Sequence, residues 1–195
     1  MATERDRGNP AHMHRSSALR LGLVVAALAV AGIAGSGIFT ASARATTRSE
    51  TSLRALNHQL FAAVNAFRVG HQLAPLHESP ALDRSSRAHS FEMGKDGYFA
   101  HSSADGTAFW QRIAHYYPSR GYLSWSVGEN LLWASPRVNA RSALAMWIAS
   151  PEHLANLMSP TWRDFGVSAV HVNSAPRVFG GQSVTIITID FGVRK

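Results

Sequence analysis

FGVSAVHVNSAPRVFGGQSVTIITIDF, residues 165–191, is where the chain changes its hydrophobic period. Residues 165–172 and 183–191 are β-branched runs, separated by the turn-forming Asn173-Ser174-Ala175-Pro176 and by Gly180-Gly181. Two such runs around turn residues predict an antiparallel pair of strands. Upstream the period is helical. Leu53, Leu56, Leu60, Val64 and Phe67 recur at three and four residues and stop at Gly70, the pattern of an amphipathic helix with its terminator. Ser79-Pro80, Ser135-Pro136 and Ser150-Pro151 each set a capping hydroxyl before a proline suited to a first helical turn. They predict a helix over 80–93, one from 136 with Ala143, Leu144, Met146 and Trp147 inward, and a short turn from 151 that carries His153. A further helix is expected over 107–116, with Phe109, Trp110 and Ile113 on one face and Asp105 as its cap. A third strand is expected over 122–127. Helices first and strands later read as α+β with a small antiparallel sheet.

Outward from this region the composition is uneven. Of 195 residues, 46% are hydrophobic and only 16% charged, where about a quarter is usual. Residues 21–43 hold no Asp, Glu, Lys or Arg, and Arg5, Arg7, Arg15 and Arg20 precede them. As a helix, 21–41 would span about 31 Å, close to the ~30 Å hydrocarbon core of a bilayer. That length argues for a retained anchor rather than a signal peptide. The alternative is cleavage, since Ala41-Ser42-Ala43 and Ala43-Arg44-Ala45 both have the small-x-small form. The expected organisation is a basic leader over 1–20, an apolar segment over 21–41, a linker over 42–52 and one exported domain over 53–195. The formal charge is +7, of which +3 lies in residues 1–45 and +4 in 46–195. The later cations are scattered, with no basic stripe and no interleaved aromatics, which speaks against nucleic acid. The absence of cysteine excludes disulfides, thiolate zinc sites and cysteine nucleophiles together.

Common catalytic signatures are missing. There is no H-E-x-x-H, no G-x-S-x-G, no P-loop and no dinucleotide fingerprint. Serine, histidine and aspartate are all present, but no spacing marks a triad. Three short pieces remain: Ala100-His101-Ser102-Ser103-Ala104-Asp105-Gly106, Gly128-Glu129-Asn130-Leu131, and the run from Trp147 through Ser150-Pro151-Glu152-His153 to Asn156. Two imidazoles and a carboxylate from separate elements would form the ligand set of an open zinc site. His153 falls near the start of a helical turn, where the positive helix end disfavours imidazolium, and a neutral imidazole binds metal or accepts a proton. Each residue also has a plainer reading. Glu129, after a strand, would accept backbone N–H groups, and Asn130 would tie loops together through its amide. His89 and Glu92 share a helix face and read as a solvated pair. Trp110, Trp125, Trp133, Trp147 and Trp162 read as core.

These pieces, in this order, resemble the bacterial branch of the CAP superfamily, the SCP-like extracellular domains. The resemblance covers about residues 56–192 and includes Val64-Asn65-Ala66-Phe67-Arg68, Pro75-Leu76, residues 88–93, Phe165-Gly166-Val167 and Phe191-Gly192. It implies an α–β–α sandwich with a cleft, in which His101, Glu129 and His153 match three of four inward-pointing residues. The fourth, a Glu in a Trp-x-x-Glu piece, is Ser150 here, and Glu152 stands beside His153 instead. The disulfides of the eukaryotic members are absent as well. The implied function is an extracytoplasmic module that binds an envelope protein, peptide or lipid through the His101–Glu129–His153 cleft. Zinc on His101, His153 and Glu129, activating water as in a peptidase-type hydrolase, is the alternative reading. A structural envelope protein with a relict cleft is a third. The chain would be membrane-held through 21–41, or secreted if cleaved near Ala43 or Ala45.

Overall fold

The computed structural model describes residues 38–195, with side chains from Leu53 onward. The basic leader and nearly all of the expected apolar segment lie outside the described residues. No helix among the described residues is long and apolar enough to cross a membrane. The elements are α1 (Ile38–Gly70), β1 (His77–Glu78), α2 (Pro80–Asp96), α3 (Phe109–Tyr116), β2 (Trp125–Ala134), α4 (Ala140–Ile148), α5 (Pro151–Met158), β3 (Asp164–Ala175), a 3₁₀ turn (Arg177–Phe179) and β4 (Gln182–Arg194). The described residues form a mixed α/β domain with five α-helices and a four-stranded sheet.

Local chemistry explains most boundaries. Ser79 Oγ accepts from Leu82 N at the start of α2, and Gly97, with φ of 71°, ends it in the left-handed conformation. Several boundaries differ from the sequence reading. The third strand, expected over 122–127, runs over Trp125–Ala134, so that its pairing with β4 extends past Glu129. Residues 42–52, expected as a linker, continue α1: they contain no Gly or Pro, and extending a formed helix is cheap once its nucleus exists. Ser135 does not cap α4. Its hydroxyl and the Pro136 carbonyl are tied to Ser183 and Thr185 of β4 instead, and Asn139 caps the helix by accepting from Ser142 N. Asp105, expected to cap α3, closes its own turn onto Thr107 N, two residues short of that helix. Trp110 and Met146, expected inward, are 44% and 48% exposed.

The sheet runs in the order β1-β3-β4-β2. β3 and β4 pair antiparallel with Phe165 opposite Phe191, and β2 pairs antiparallel with β4, setting Glu129 opposite Asp190. The sheet is not wholly antiparallel, because the two-residue β1 pairs parallel to β3; His77-Glu78 is too short to show any period. Alternation along β4 sorts the core into two layers. Ile187, Ile189 and Phe191 pack with Leu60 and Val64 of α1 and Trp147 of α4, while Val184 and Ile186 on the other face meet Met93 of α2.

Beyond the two-residue β1, side chains cap the exposed edges of β3 and β2, which blunts them as templates for aggregation. Along β3, Asp83 Oδ1 accepts from Val167 N and Asn57 Oδ1 from Ala169 N, both at 2.8–2.9 Å. Along β2, Trp147 Nε1 donates to the Leu131 carbonyl and Asn156 Nδ2 to that of Glu129. Arg68, fully buried, donates to the carbonyls of Ala74, Leu157 and Ser159 and so ties the end of α1 to the end of α5.

Candidate functional site

The site is assembled around β2. Glu129 lies on the α2 side of the sheet, and its carboxylate is almost wholly enclosed. One oxygen accepts from His101 Nδ1 at 2.8 Å, and the other is ion-paired with Arg112 of α3. Arg112 also donates to the His101 carbonyl at 2.9 Å and to Ser103 Oγ at 3.2 Å. One guanidinium therefore fixes both the loop that carries His101 and the carboxylate that receives it. Burial pushes the Glu129 carboxyl up, but the His101 hydrogen bond and the Arg112 charge outweigh it and hold the group below the usual carboxylate range. With Nδ1 engaged, Nε2 of His101 is the free nitrogen of a side chain that remains 53% exposed.

His153 arrives from α5, on the other face of the strand. Asn130 Nδ2 donates to its carbonyl, and Asn156 Nδ2 donates to Asn130 Oδ1, so an amide pair pins the first turn of α5 to β2. Burial, followed by the charge of His101, lowers the His153 pKa, and Glu152 opposes this in part. The sequence reading also makes this imidazole neutral, through the helix terminus; burial and His101 are the forces found here.

Behind Glu129 lie His89, which the sequence reading places in solvent, and groups that it does not single out. His89 is not solvated: it is fully buried, because α2 turns this face onto the sheet. Its Nε2 donates to the Ala100 carbonyl at 3.0 Å and stands 4.0 Å from Glu129, and burial lowers its pKa. It is thus a neutral ring with a bare Nδ1, near the Tyr98 hydroxyl, which itself donates to Glu92. Asp190, across the ladder from Glu129, has no hydrogen-bond partner on either oxygen. Burial and the Glu129 charge push its carboxyl well above the usual range. Its sequence signal is a lone acid inside the apolar run Ile186-Ile187-Thr188-Ile189-Asp190-Phe191. Arg112 leaves no comparable mark in a helix of mixed composition.

Among the described residues no three or more His, Cys, Asp or Glu are grouped to hold a metal ion. The donor chemistry agrees: both oxygens of Glu129 are taken, one of them by a cation. A metal here would rest on His101 Nε2 and His153, with Glu129 orienting the first ring from behind.

The family model of the cysteine-rich secretory proteins, CAP, matches residues 61–185. The chain is 28% identical to the YkwD protein of Bacillus subtilis over 130 residues, covering 66% of this chain and 48% of that one. It therefore spans about half the length of that relative. An extracellular protein from Bacillus anthracis that contains an SCP domain superposes with a TM-score of 0.60 at 22% identity, over 76% of this chain and 43% of that one. An outer surface protein of Borrelia burgdorferi gives 0.54 at 19%, over 70% and 90%. The layered fold, the ordered motifs and the match over more than half of its length all carry one conclusion: the chain belongs to the CAP family.

Proposed function

We propose that this chain is an extracytoplasmic binding module of the cell envelope, in which His101 and His153 are the recognition groups and Glu129 is their buried counter-charge. The observation that carries the reading is the state of Glu129. A carboxylate that is almost wholly enclosed and already holds an imidazole and a guanidinium is an organiser, because those two partners lower its basicity and make it a poor general base. His101 Nε2 and the His153 ring are then free to hydrogen-bond a polar group such as a peptide carboxylate. The family, together with structural relatives that are outer-surface or extracellular proteins, supports the location. Residues 21–41, behind four Arg, would keep the module at the membrane. An intact mass matching a chain that starts at Arg44 or Thr46 would show a secreted form instead.

One observation favours zinc as a second reading. A carboxylate on Nδ1 that leaves Nε2 outward is the orientation of a metal-binding histidine. Such a metal would supply Lewis-acid activation of water, while this chain's own part would be to hold it on two imidazoles. Calorimetry separates the two readings. Two-ligand zinc should bind weakly, with affinity lost in acid as His153, whose pKa burial lowers, protonates below the ordinary imidazole range. His101→Ala and His153→Ala should each abolish it. Imidazole resonances should shift on titration with a short acidic peptide whether or not zinc is added. Zinc binding below micromolar Kd would favour the hydrolase, and imidazole resonances indifferent to the peptide would count against the binding module.

A further inference from the structure

At the far end of the β3–β4 pair, away from Glu129, the ladder sets His171 opposite Thr185, and Ser183 follows on the same face. Thr185 Oγ1 donates its proton to the Pro136 carbonyl at 3.2 Å. It can therefore only accept from His171 Nδ1, also 3.2 Å away. That fixes the tautomer: Nδ1 carries the hydrogen and Nε2 is bare. Ser183 Oγ stands 3.0 Å from Nε2 and must be the donor. The hydrogen bonds run in one direction, from the Ser183 hydroxyl through the imidazole to Thr185 and a backbone carbonyl. Nucleophile, base and orienting group follow one another in this polarity in serine hydrolases. Ser135 Oγ holds the Ser183 carbonyl at 2.9 Å, which fixes the serine backbone. A cavity of about 210 Å³ opens beside Thr185, walled by Leu53, Leu56, Val138 and Arg137.

We propose that Ser183, His171 and Thr185 form a serine nucleophile site, separate from the His101 cleft, that cleaves esters of short apolar acyl groups. Thr185 is the member of this group that lines the cavity, where Leu53, Leu56 and Val138 would take the acyl group, and Arg137, whose charge acts on His171, is the cation that would face the developing oxyanion. Ser183 Oγ bonds to the ester carbonyl carbon while its proton passes to His171 Nε2 and the carbonyl π pair moves to oxygen. Collapse re-forms the C=O bond, breaks the C–O bond to the alcohol, and returns the proton from Nε2 to the leaving alkoxide. Water then adds to the acyl-serine with the same base, releasing the carboxylic acid and restoring Ser183. Burial, followed by the Arg137 charge, lowers the His171 pKa against a smaller opposing effect of Asn173, so the ring is the neutral base that this step needs.

The test uses the full chain, a fluorophosphonate probe and p-nitrophenyl butyrate. The adduct should map to Ser183 by peptide mass spectrometry. Ser183→Ala and His171→Gln should each lower ester hydrolysis about 100-fold or more, Thr185→Val less, and Ser119→Ala, at an exposed serine outside this site, not at all. Unchanged melting curves for Ser183→Ala and His171→Gln establish that the loss is chemical. An adduct on another residue, or hydrolysis by Ser183→Ala at the wild-type rate, overturns the proposal. So does a wild-type protein that takes up no probe.

Discussion

Glu129→Ala should destabilise the domain by about 3–5 kcal/mol, the range for breaking a buried ion pair by removal of one partner. Arg112 is only 8% exposed and would keep its bonds to His101 and Ser103 while losing its counter-charge. Asp190 makes the effect more specific. Burial and the Glu129 charge both favour its neutral form in the wild-type protein. Once Glu129 is gone, Asp190 can ionise and take over as partner to Arg112, which also acts on it electrostatically. Asp190→Asn alone should therefore be close to neutral at low pH, yet in the Glu129→Ala background it should cost more than it does alone. The sign with pH is fixed. A carboxyl with a raised folded pKa stabilises the native state at low pH, and that contribution fades as pH rises from the unfolded value of about 4 through the folded one. Asp190→Asn should thus gain on the wild type between acid and neutral pH. Urea denaturation across that range measures all three variants. A loss below about 1 kcal/mol for Glu129→Ala would mean that the pair behaves like a surface salt bridge, and that Glu129 does not organise the site.

What can be read in the sequence follows what periodicity and local chemistry can encode. The β-branched runs ending at Phe191 and the stripe from Leu53 to Phe67 appear as strands and a helix because burial of one face imposes the period directly. Ser79-Pro80 marks a true helix start, since its capping bond is made within three residues. The same dipeptide at Ser135-Pro136 misleads, because its polar groups are claimed by β4, about fifty residues away. Long-range claims of this kind hide the site as well. His101 and Glu129 emerge from the order of motifs. Arg112, which holds Glu129 in place, and His89, buried behind it, become visible only when α2 and α3 are laid on the sheet. A spacing of His89 and Glu92 at three residues shows a shared helix face, but not whether that face meets water or a β-strand.

Gly166→Ala should be among the most damaging single changes, costing about 3 kcal/mol or more. An added Cβ would lie 2.2 Å from both Leu82 C and Asp83 N. These are backbone atoms at the first turn of α2, so no rotamer change can relieve the contact. The approach is close because α2 is clamped to β3 at this point from two directions: Ser79 N donates to the Phe165 carbonyl at 2.9 Å, and Val167 N donates to Asp83 Oδ1 at 2.9 Å. Moving α2 outward to admit a methyl group would stretch both bonds and loosen the packing of Leu82 and Met93, which are fully buried. It would also shift the loop after α2, and with it His101 relative to Glu129. Two readouts should therefore move together: a lower melting temperature, and a change in the His101 imidazole resonance at temperatures where the variant is still folded. By contrast Gly70→Ala, at a site with nothing within 4 Å of an added Cβ, should leave both nearly unchanged. If Gly166→Ala melts within a degree or two of the wild type, the contact of α2 with β3 is looser than these distances imply, and the clamp does not set the position of His101.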